Sequence, residues 1–208
     1  NHILRVFDSV AGQLGLAIDN SVGKLKFSGV IPNQKGFASI DGPLTWLEKA
    51  RLIHKCPIAN RFESPIRSFV KSNYFKSYLF DVGILNAMID VSVESLLQDG
   101  LGHYKGYLAE NFVAQEMVAA AGTKLTGWSE SDSEIEFILQ FGSELRALEV
   151  KASSRARRTK SLDALIARYQ CPLSYKLTGQ NRGYSPEKKV LTLSLYLTGA
   201  LAKSSIEC

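Results

Sequence analysis

The chain has 208 residues, and 25 Lys and Arg residues against 20 Asp and Glu residues give it a formal net charge of +5. Hydrophobic residues make up 45% of the chain and charged residues 22%, which is typical of a globular protein and excludes wholesale disorder. The three cysteines contain no Cys-x-x-Cys pair, which excludes a zinc ribbon and disfavours a disulfide framework. The cysteine usage fits a reducing cytosol, and no apolar stretch is long enough to cross a bilayer, so we expect a cytoplasmic protein without a membrane partner.

The spacing of apolar residues in the first part of the chain predicts two helices followed by two strands. The helices are expected over residues 3–18 and 43–53, and the strands over residues 54–58 and 74–80. Two helices followed by a hairpin are the order of a winged-helix module. We therefore predict a winged-helix-like N-terminal part over residues 1–100.

A glycine-rich connector at residues 96–106 marks the predicted start of a second domain, residues 101–208. The expected elements of this domain are a helix over 107–121, strands over 125–128, 135–141 and 145–152, a helix from residue 161, and strands over 174–178 and 190–197. This order predicts an α/β (α+β) fold in which helices flank a mixed central sheet.

Two acidic side chains and a lysine are predicted to meet on a hairpin of the second domain. Gly142 and Ser143 form its turn, and strand alternation places Glu149 and Lys151 on one face, with Glu136 beside Glu149. Two carboxylates can hold a hard cation such as Mg²⁺, which lowers the pKa of a bound water and neutralises charge on a phosphate. Lys151 would orient that water or stabilise the developing charge.

Glu110 is a further acidic candidate. Helical spacing puts it on the same face as Val113 and Met117, where a carboxylate is disfavoured unless it is paired or solvated in a cleft. There it would complete a metal shell, directly or through water. Structural alternatives stay open, because Glu110 can pair with Lys124 or Lys151, and the Glu-Val-Lys strand can be a solvated face with a cross-strand ion pair.

Several motifs, in order, resemble those of a known family. They lie at residues 75–86 (FKSYLFDVGILN), 106–113 (GYLAENFV), 134–137 (EIEF), 149–151 (EVK) and 160–162 (KSL). Together they resemble the C-terminal region of a prokaryotic family of AAA-type ATPases, catalogued as domain-of-unknown-function family 4143. The resemblance covers nearly the whole chain. In that family, this region is similar to the restriction-endonuclease-like, PD-(D/E)xK fold.

The resemblance implies a nuclease-like site with Mg²⁺ as cofactor and DNA or RNA as partner. Glu136 falls on the first metal-binding acid of the superfamily, Glu149 and Lys151 fall on its (D/E)xK pair, and Glu110 falls on the acid of its first core helix. The family pattern usually has Asp where this chain has Glu136, whose extra methylene moves the carboxylate oxygens.

The resemblance also implies an ATPase domain that precedes this region in the parent chain. Gly23 and Lys24 look like the end of a phosphate loop, but Ile18 stands where the first glycine of that loop is required. We therefore expect ATP to bind only in the preceding domain. Asn1 stands where an initiator Met would, which agrees with a fragment.

Two functions are compatible with these residues. The first is a metal-dependent nuclease-like module, which requires the acids to converge. The second is a non-catalytic module for nucleic-acid or protein recognition, which relays binding to the ATPase and predicts that Glu136 and Glu149 diverge or are held by ion pairs.

The positive charge of the chain is concentrated in one segment. Residues 151–168 contain six basic side chains and one acidic side chain, which accounts for the whole net charge. The basic side chains predicted to bind the phosphates of a nucleic acid are Lys151, Arg155, Arg157, Arg158 and Lys160. The alternative is a solvated loop.

Overall fold

The computed structural model describes residues 1–14, 25–97, 104–152, 159–179 and 182–207. These residues form seven α-helices and two mixed β-sheets, which confirms the predicted α+β class. Within the described ranges, no helix is both long and apolar enough to cross a membrane.

Most of the predicted elements are present, with shifted ends. The helices are α1 (His2–Leu14), α2 (Asp41–Lys49), α3 (Val82–Met88), α4 (Val93–Leu97), α5 (Tyr104–Ala121), α6 (Lys160–Tyr169) and α7 (Thr198–Ser204). The strands are β1 (Ile53–Ala59), β2 (Val70–Leu79), β3 (Gly127–Glu130), β4 (Ser133–Ile135), β5 (Phe137–Phe141), β6 (Glu144–Lys151), β7 (Ser174–Thr178), β8 (Gly183–Ser185) and β9 (Val190–Ser194).

The chain divides into two compact units, each assembled from two stretches of sequence. The first unit contains residues 1–56 and 73–115, and the second contains residues 57–72 and 116–208. The predicted boundary between residues 100 and 101 lies outside the described residues, and the predicted domains, including the winged-helix-like part, stay predictions.

The first unit is organised around an apolar core to which α1 and α2 contribute one face each. Val6 and Val10 of α1 and Leu44 and Leu47 of α2 are buried at helical spacing, and Phe75 of β2 joins them. Trp46 is exposed, because it lies on the face of α2 opposite to Leu44 and Leu47. Trp128, in the second unit, is buried.

The two sheets have the strand orders β2-β1-β3-β4 and β5-β6-β7-β9-β8. In the second, the turn at Gly142 joins β5 and β6 as the predicted antiparallel hairpin, and β7 and β9 continue the sheet in parallel with β6. Leu162 and Leu165 of α6 pack in one core cluster with Leu145 and Ala147 of β6. This contact places α6 on the face of β6 that also bears Glu149.

The predicted strand over 135–141 is two strands rather than one. It breaks at Glu136, and the parts on either side, β4 and β5, belong to different sheets. The strand predicted over 190–197 likewise ends early, because the Ser194 hydroxyl accepts a hydrogen bond from the Tyr196 amide and begins a 3-10 turn.

Candidate functional site

Three of the predicted site residues lie together at one end of the β5–β6 hairpin. The antiparallel pairing of β5 with β6 begins with Phe137 opposite Leu148. Glu136, which precedes β5, and Glu149 of β6 occupy the next positions beyond this pair. The Glu136 carboxylate reaches across, and its Oε2 accepts a hydrogen bond from the Val150 amide at 3.1 Å. The structure therefore brings Glu136 to the segment that carries Glu149 and Lys151.

Glu149 is almost entirely shielded from solvent, with 1% of the residue exposed. Its Oε1 lies 2.9 Å from the Lys151 ammonium, whose side chain is 29% exposed. Its Oε2 is buried and has no hydrogen-bond partner among the described residues. Glu149 is therefore buried and does not lie on a solvated face, and its ion pair with Lys151 joins two residues of β6.

A second lysine lies beside Glu149 on the neighbouring strand. Lys176 of β7 is the parallel register partner of Glu149 and is itself 9% exposed. Because residues paired in register on adjacent strands point to the same face, Glu149 and Lys176 lie on the same side of the sheet. We call Glu136, Glu149, Lys151 and Lys176 the hairpin cluster.

Burial and the neighbouring charges act in opposite directions on Glu149. Burial raises the pKa of its carboxyl group, whereas the positive charges of Lys151 and Lys176 lower it. The negative charge of Asp163 on α6 adds to the increase, and the net pKa lies above the ordinary value of 4.5. The Asp163 carboxylate itself accepts hydrogen bonds from the Lys188 ammonium at 2.9 and 3.0 Å.

Glu110, the remaining predicted acid, belongs to the first unit. Its Oε2 accepts hydrogen bonds from the Lys76 ammonium at 3.1 Å and from the Tyr78 hydroxyl at 3.0 Å. Glu110 therefore forms an ion pair, as one of the open alternatives required, but with Lys76 and not with Lys124 or Lys151. Burial of the Tyr78 ring, which is fully enclosed, raises the pKa of its hydroxyl well above 10.0.

The residue after Glu110 forms a second connection between α5 and β2. Asn111 is fully buried, and its side-chain amide accepts from the Leu79 amide at 2.8 Å and donates to the Leu79 carbonyl at 3.0 Å. This pair of hydrogen bonds satisfies the backbone at the end of β2 as a neighbouring strand would. We call Lys76, Tyr78, Glu110 and Asn111 the anchor cluster.

Two further contacts satisfy backbone amides in the first turn of α3, which follows β2. The Gln115 side chain accepts from the Val82 amide at 2.8 Å, and the Asp81 carboxylate accepts from the Ile84 amide at 2.8 Å. Asp81 is therefore the N-cap of α3.

The basic segment is described in part. Arg155, Arg157 and Arg158 lie outside the described residues, and their predicted role is not addressed by the structure. Lys160 is exposed at the start of α6. Arg168, at the far end of that helix, forms an ion pair with Glu130 at 2.8 Å.

The described residues contain no group of three or more His, Cys, Asp or Glu side chains that could hold a metal ion together. A magnesium ion often keeps several waters and takes one or two carboxylates from the protein, so Glu136 and Glu149 remain a possible pair of ligands. Glu110 has its described partners in the first unit, and its predicted role as a ligand stays a prediction.

Sequence reasoning missed Lys176 and the role of Asn111. A signal for Lys176 exists, since a lysine in the middle of a predicted strand needs a charged partner where that strand is buried. Asn111 stands next to Glu110 on α5, where a buried amide requires partners for each of its polar atoms. Neither residue identifies its partner from the sequence.

The fold and these clusters define an α+β protein with a carboxylate–lysine site on a sheet hairpin. Residues 105–196, just under half of the chain, match the model of a family described as Domain of unknown function (DUF4143). This range includes Glu110 and all four residues of the hairpin cluster. No curated protein and no solved structure matches the chain.

Proposed function

We propose that the second unit is a nuclease-like module that binds Mg²⁺ at the hairpin cluster and acts on the phosphodiester bonds of DNA or RNA. The observation that carries this proposal is the buried Oε2 of Glu149, which has no partner among the described residues although Oε1 is held by Lys151. A buried carboxylate oxygen without a partner is costly, and a bound cation would compensate it.

The donor set fits a hard cation. Glu136 and Glu149 supply carboxylate oxygens from adjacent positions of the hairpin, and Mg²⁺ prefers oxygen ligands. When bound, the ion would lower the pKa of a coordinated water and neutralise charge on the phosphate.

Lys151 and Lys176 of the hairpin cluster would have different roles. The partly exposed Lys151 ammonium holds Oε1 of Glu149 and can also turn towards a bound phosphate, where it acts as a point charge. Lys176 is buried beside Glu149 and offsets the negative charge of that carboxylate inside the fold. The basic segment that begins at Lys151 would hold phosphates next to the site.

A cleavage assay tests this function. Supercoiled plasmid, single-stranded DNA and RNA are incubated with the wild-type chain in Mg²⁺, in Mn²⁺ and in EDTA. We expect metal-dependent cleavage by wild type and a loss of at least about 100-fold for Glu149→Ala, Glu136→Ala and Lys151→Ala. The matched control is Glu134→Ala, which removes a neighbouring acid that lies within β4.

Binding of Mn²⁺, followed by its electron paramagnetic resonance signal, separates the metal site from the reaction. Wild type and the Glu134→Ala control should bind Mn²⁺, and Glu149→Ala should not. An absence of both metal binding and cleavage on every substrate would contradict the nuclease proposal.

A second function, recognition without catalysis, is favoured by the ion pair between Glu149 and Lys151 and by the Glu136 contact to the Val150 amide. We propose, as the alternative, a nucleic-acid or protein recognition module that regulates the AAA-type ATPase domain of the parent chain. Labelled DNA or RNA bound equally well in Mg²⁺ and in EDTA, without cleavage, would favour it.

The basic segment gives a test that applies to both functions. Replacing Arg155, Arg157 and Arg158 by Gln should weaken nucleic-acid binding and reduce its dependence on salt concentration, because fewer counterions are released on binding. Unchanged affinity and salt dependence would assign the segment to solvent.

A further inference from the structure

A cleft of about 270 Å³ lies within the second unit, and none of the described residues that line it belongs to the hairpin cluster. It is formed by the end of α5 and the segment after it, by β5, by the 3-10 turn before β2, and by the residues after α7. This volume is just below the range of about 300–1,000 Å³ that is usual for small-molecule sites, so the cleft suits a small ligand.

The polar part of the cleft has one sign of charge. Arg67 and Lys124 bring two cationic side chains from separate elements, and the described lining contains no Asp or Glu. Neither cation forms an ion pair with another described residue. A ligand in the cleft would therefore meet two uncompensated positive charges, which favours an anion.

Hydroxyl groups add hydrogen-bonding capacity near these cations. Thr123, Thr126 and Ser205 line the cleft, and the Thr123 hydroxyl is buried without a hydrogen-bond partner among the described residues. A buried hydroxyl without a partner is unfavourable and would be satisfied by an acceptor on a ligand.

The rest of the lining is apolar. Ile66, Ile138 and Leu139 are buried side chains that contribute to the walls, and Ile206 is largely exposed at the rim. A phosphate of a nucleic-acid backbone needs no such surface, whereas a small molecule with an apolar body does. We propose that this cleft binds a small organic anion, with a carboxylate or phosphate group held by Arg67 and Lys124 and an apolar body against the isoleucines and Leu139.

Fluorine NMR with three matched probes tests the proposal on the full chain. The probes are 4-fluorobenzoate, 4-fluorophenyl phosphate and the neutral 4-fluorobenzamide, and the two anions distinguish a carboxylate site from a phosphate site. We expect at least one anion to bind in the millimolar range and the amide to bind at least about tenfold more weakly. Arg67→Gln and Lys124→Gln should each weaken that anion at least about threefold, and the double variant should abolish detectable binding.

The control variant is Lys71→Gln, an exposed cation of the same unit that does not line the cleft. It should bind the probes as wild type does. Equal binding of the amide and the anions, wild-type affinity in the double variant, or an absence of anion binding would each overturn the proposal. Displacement of a bound anion by an oligonucleotide would also overturn it, because the cleft would then be part of a nucleic-acid surface.

Discussion

Two carboxylates, one in each compact unit, have opposite surroundings. In the anchor cluster, Glu110 accepts hydrogen bonds from Lys76 and Tyr78 and remains 15% exposed at its side chain. In the hairpin cluster, Glu149 is more deeply buried, but its Oε2 has no hydrogen-bond partner among the described residues. The Glu110 carboxylate accepts hydrogen bonds from two side chains of β2, whereas Oε2 of Glu149 is an acceptor that no described donor uses.

This difference indicates that two of the sequence motifs, at residues 75–86 and 106–113, have a structural role. Lys76 and Tyr78 belong to the motif at residues 75–86, and Glu110 and Asn111 belong to the motif at 106–113, so contacts within one unit join the two motifs. A pattern of spaced residues can therefore reflect a structural connection as well as a reaction. The Oε2 of Glu149, buried without a hydrogen-bond partner among the described residues, is the observation on which the proposed cation site rests.

The largest expected effect comes from the anchor cluster. Asn111→Ala removes both hydrogen bonds to Leu79 and leaves a buried backbone amide and carbonyl without partners. We expect the free energy of unfolding to fall by about 3 kcal/mol, measured by urea denaturation. Asn73→Ala, at an exposed position of β2, should change it by less than about 0.5 kcal/mol. A loss of similar size in both variants would show that the buried amide has no special role.

A smaller effect is expected from the ion pair of the same cluster. Lys76→Met leaves the Tyr78 hydroxyl as the donor from β2 to the Glu110 carboxylate, and should destabilise the protein by about 2 kcal/mol. Adding Glu110→Gln removes the uncompensated charge and should restore part of the loss, because replacing both partners costs less than removing one. A double variant that is less stable than the Lys76→Met variant would contradict this account of the pair.

The sequence predicted much of the fold because its patterns are local. Helix α5 and the β5–β6 hairpin follow from helical spacing and from the turn at Gly142, and strand alternation correctly placed Glu149 and Lys151 on one face. The prediction of one continuous strand over 135–141 failed at Glu136. Apolar residues continue on both sides of Glu136, although the chain passes there from one sheet to the other. Hydrophobicity alone does not reveal such a change of sheet.

The contacts between elements far apart in sequence could not be predicted in either cluster, for a different reason. Lys76 and Glu110 are 34 residues apart, and Lys176 meets Glu149 through a parallel pairing that spans α6. Periodicity identifies the face on which a residue lies, but it carries no information about which distant element covers that face. For this reason the pair between Glu110 and Lys76 differs from the alternatives with Lys124 and Lys151 that the sequence left open, and the sequence does not place Lys176 beside Glu149.

The smallest expected effect comes from the hairpin cluster, and it depends on pH. Because burial raises the folded-state pKa of Glu149 above 4.5, the wild-type protein loses stability through this group as the pH rises from 4.5 through the raised pKa. Glu149→Gln cannot titrate, so the stability of the variant relative to wild type should increase over the same range, while the difference stays within about 1 kcal/mol. Urea denaturation of both proteins between about pH 4.5 and pH 8 in EDTA measures it. A variant that loses stability relative to wild type as the pH rises would mean that the lysines compensate the Glu149 charge fully, and the reason to expect a cation at Oε2 would be lost.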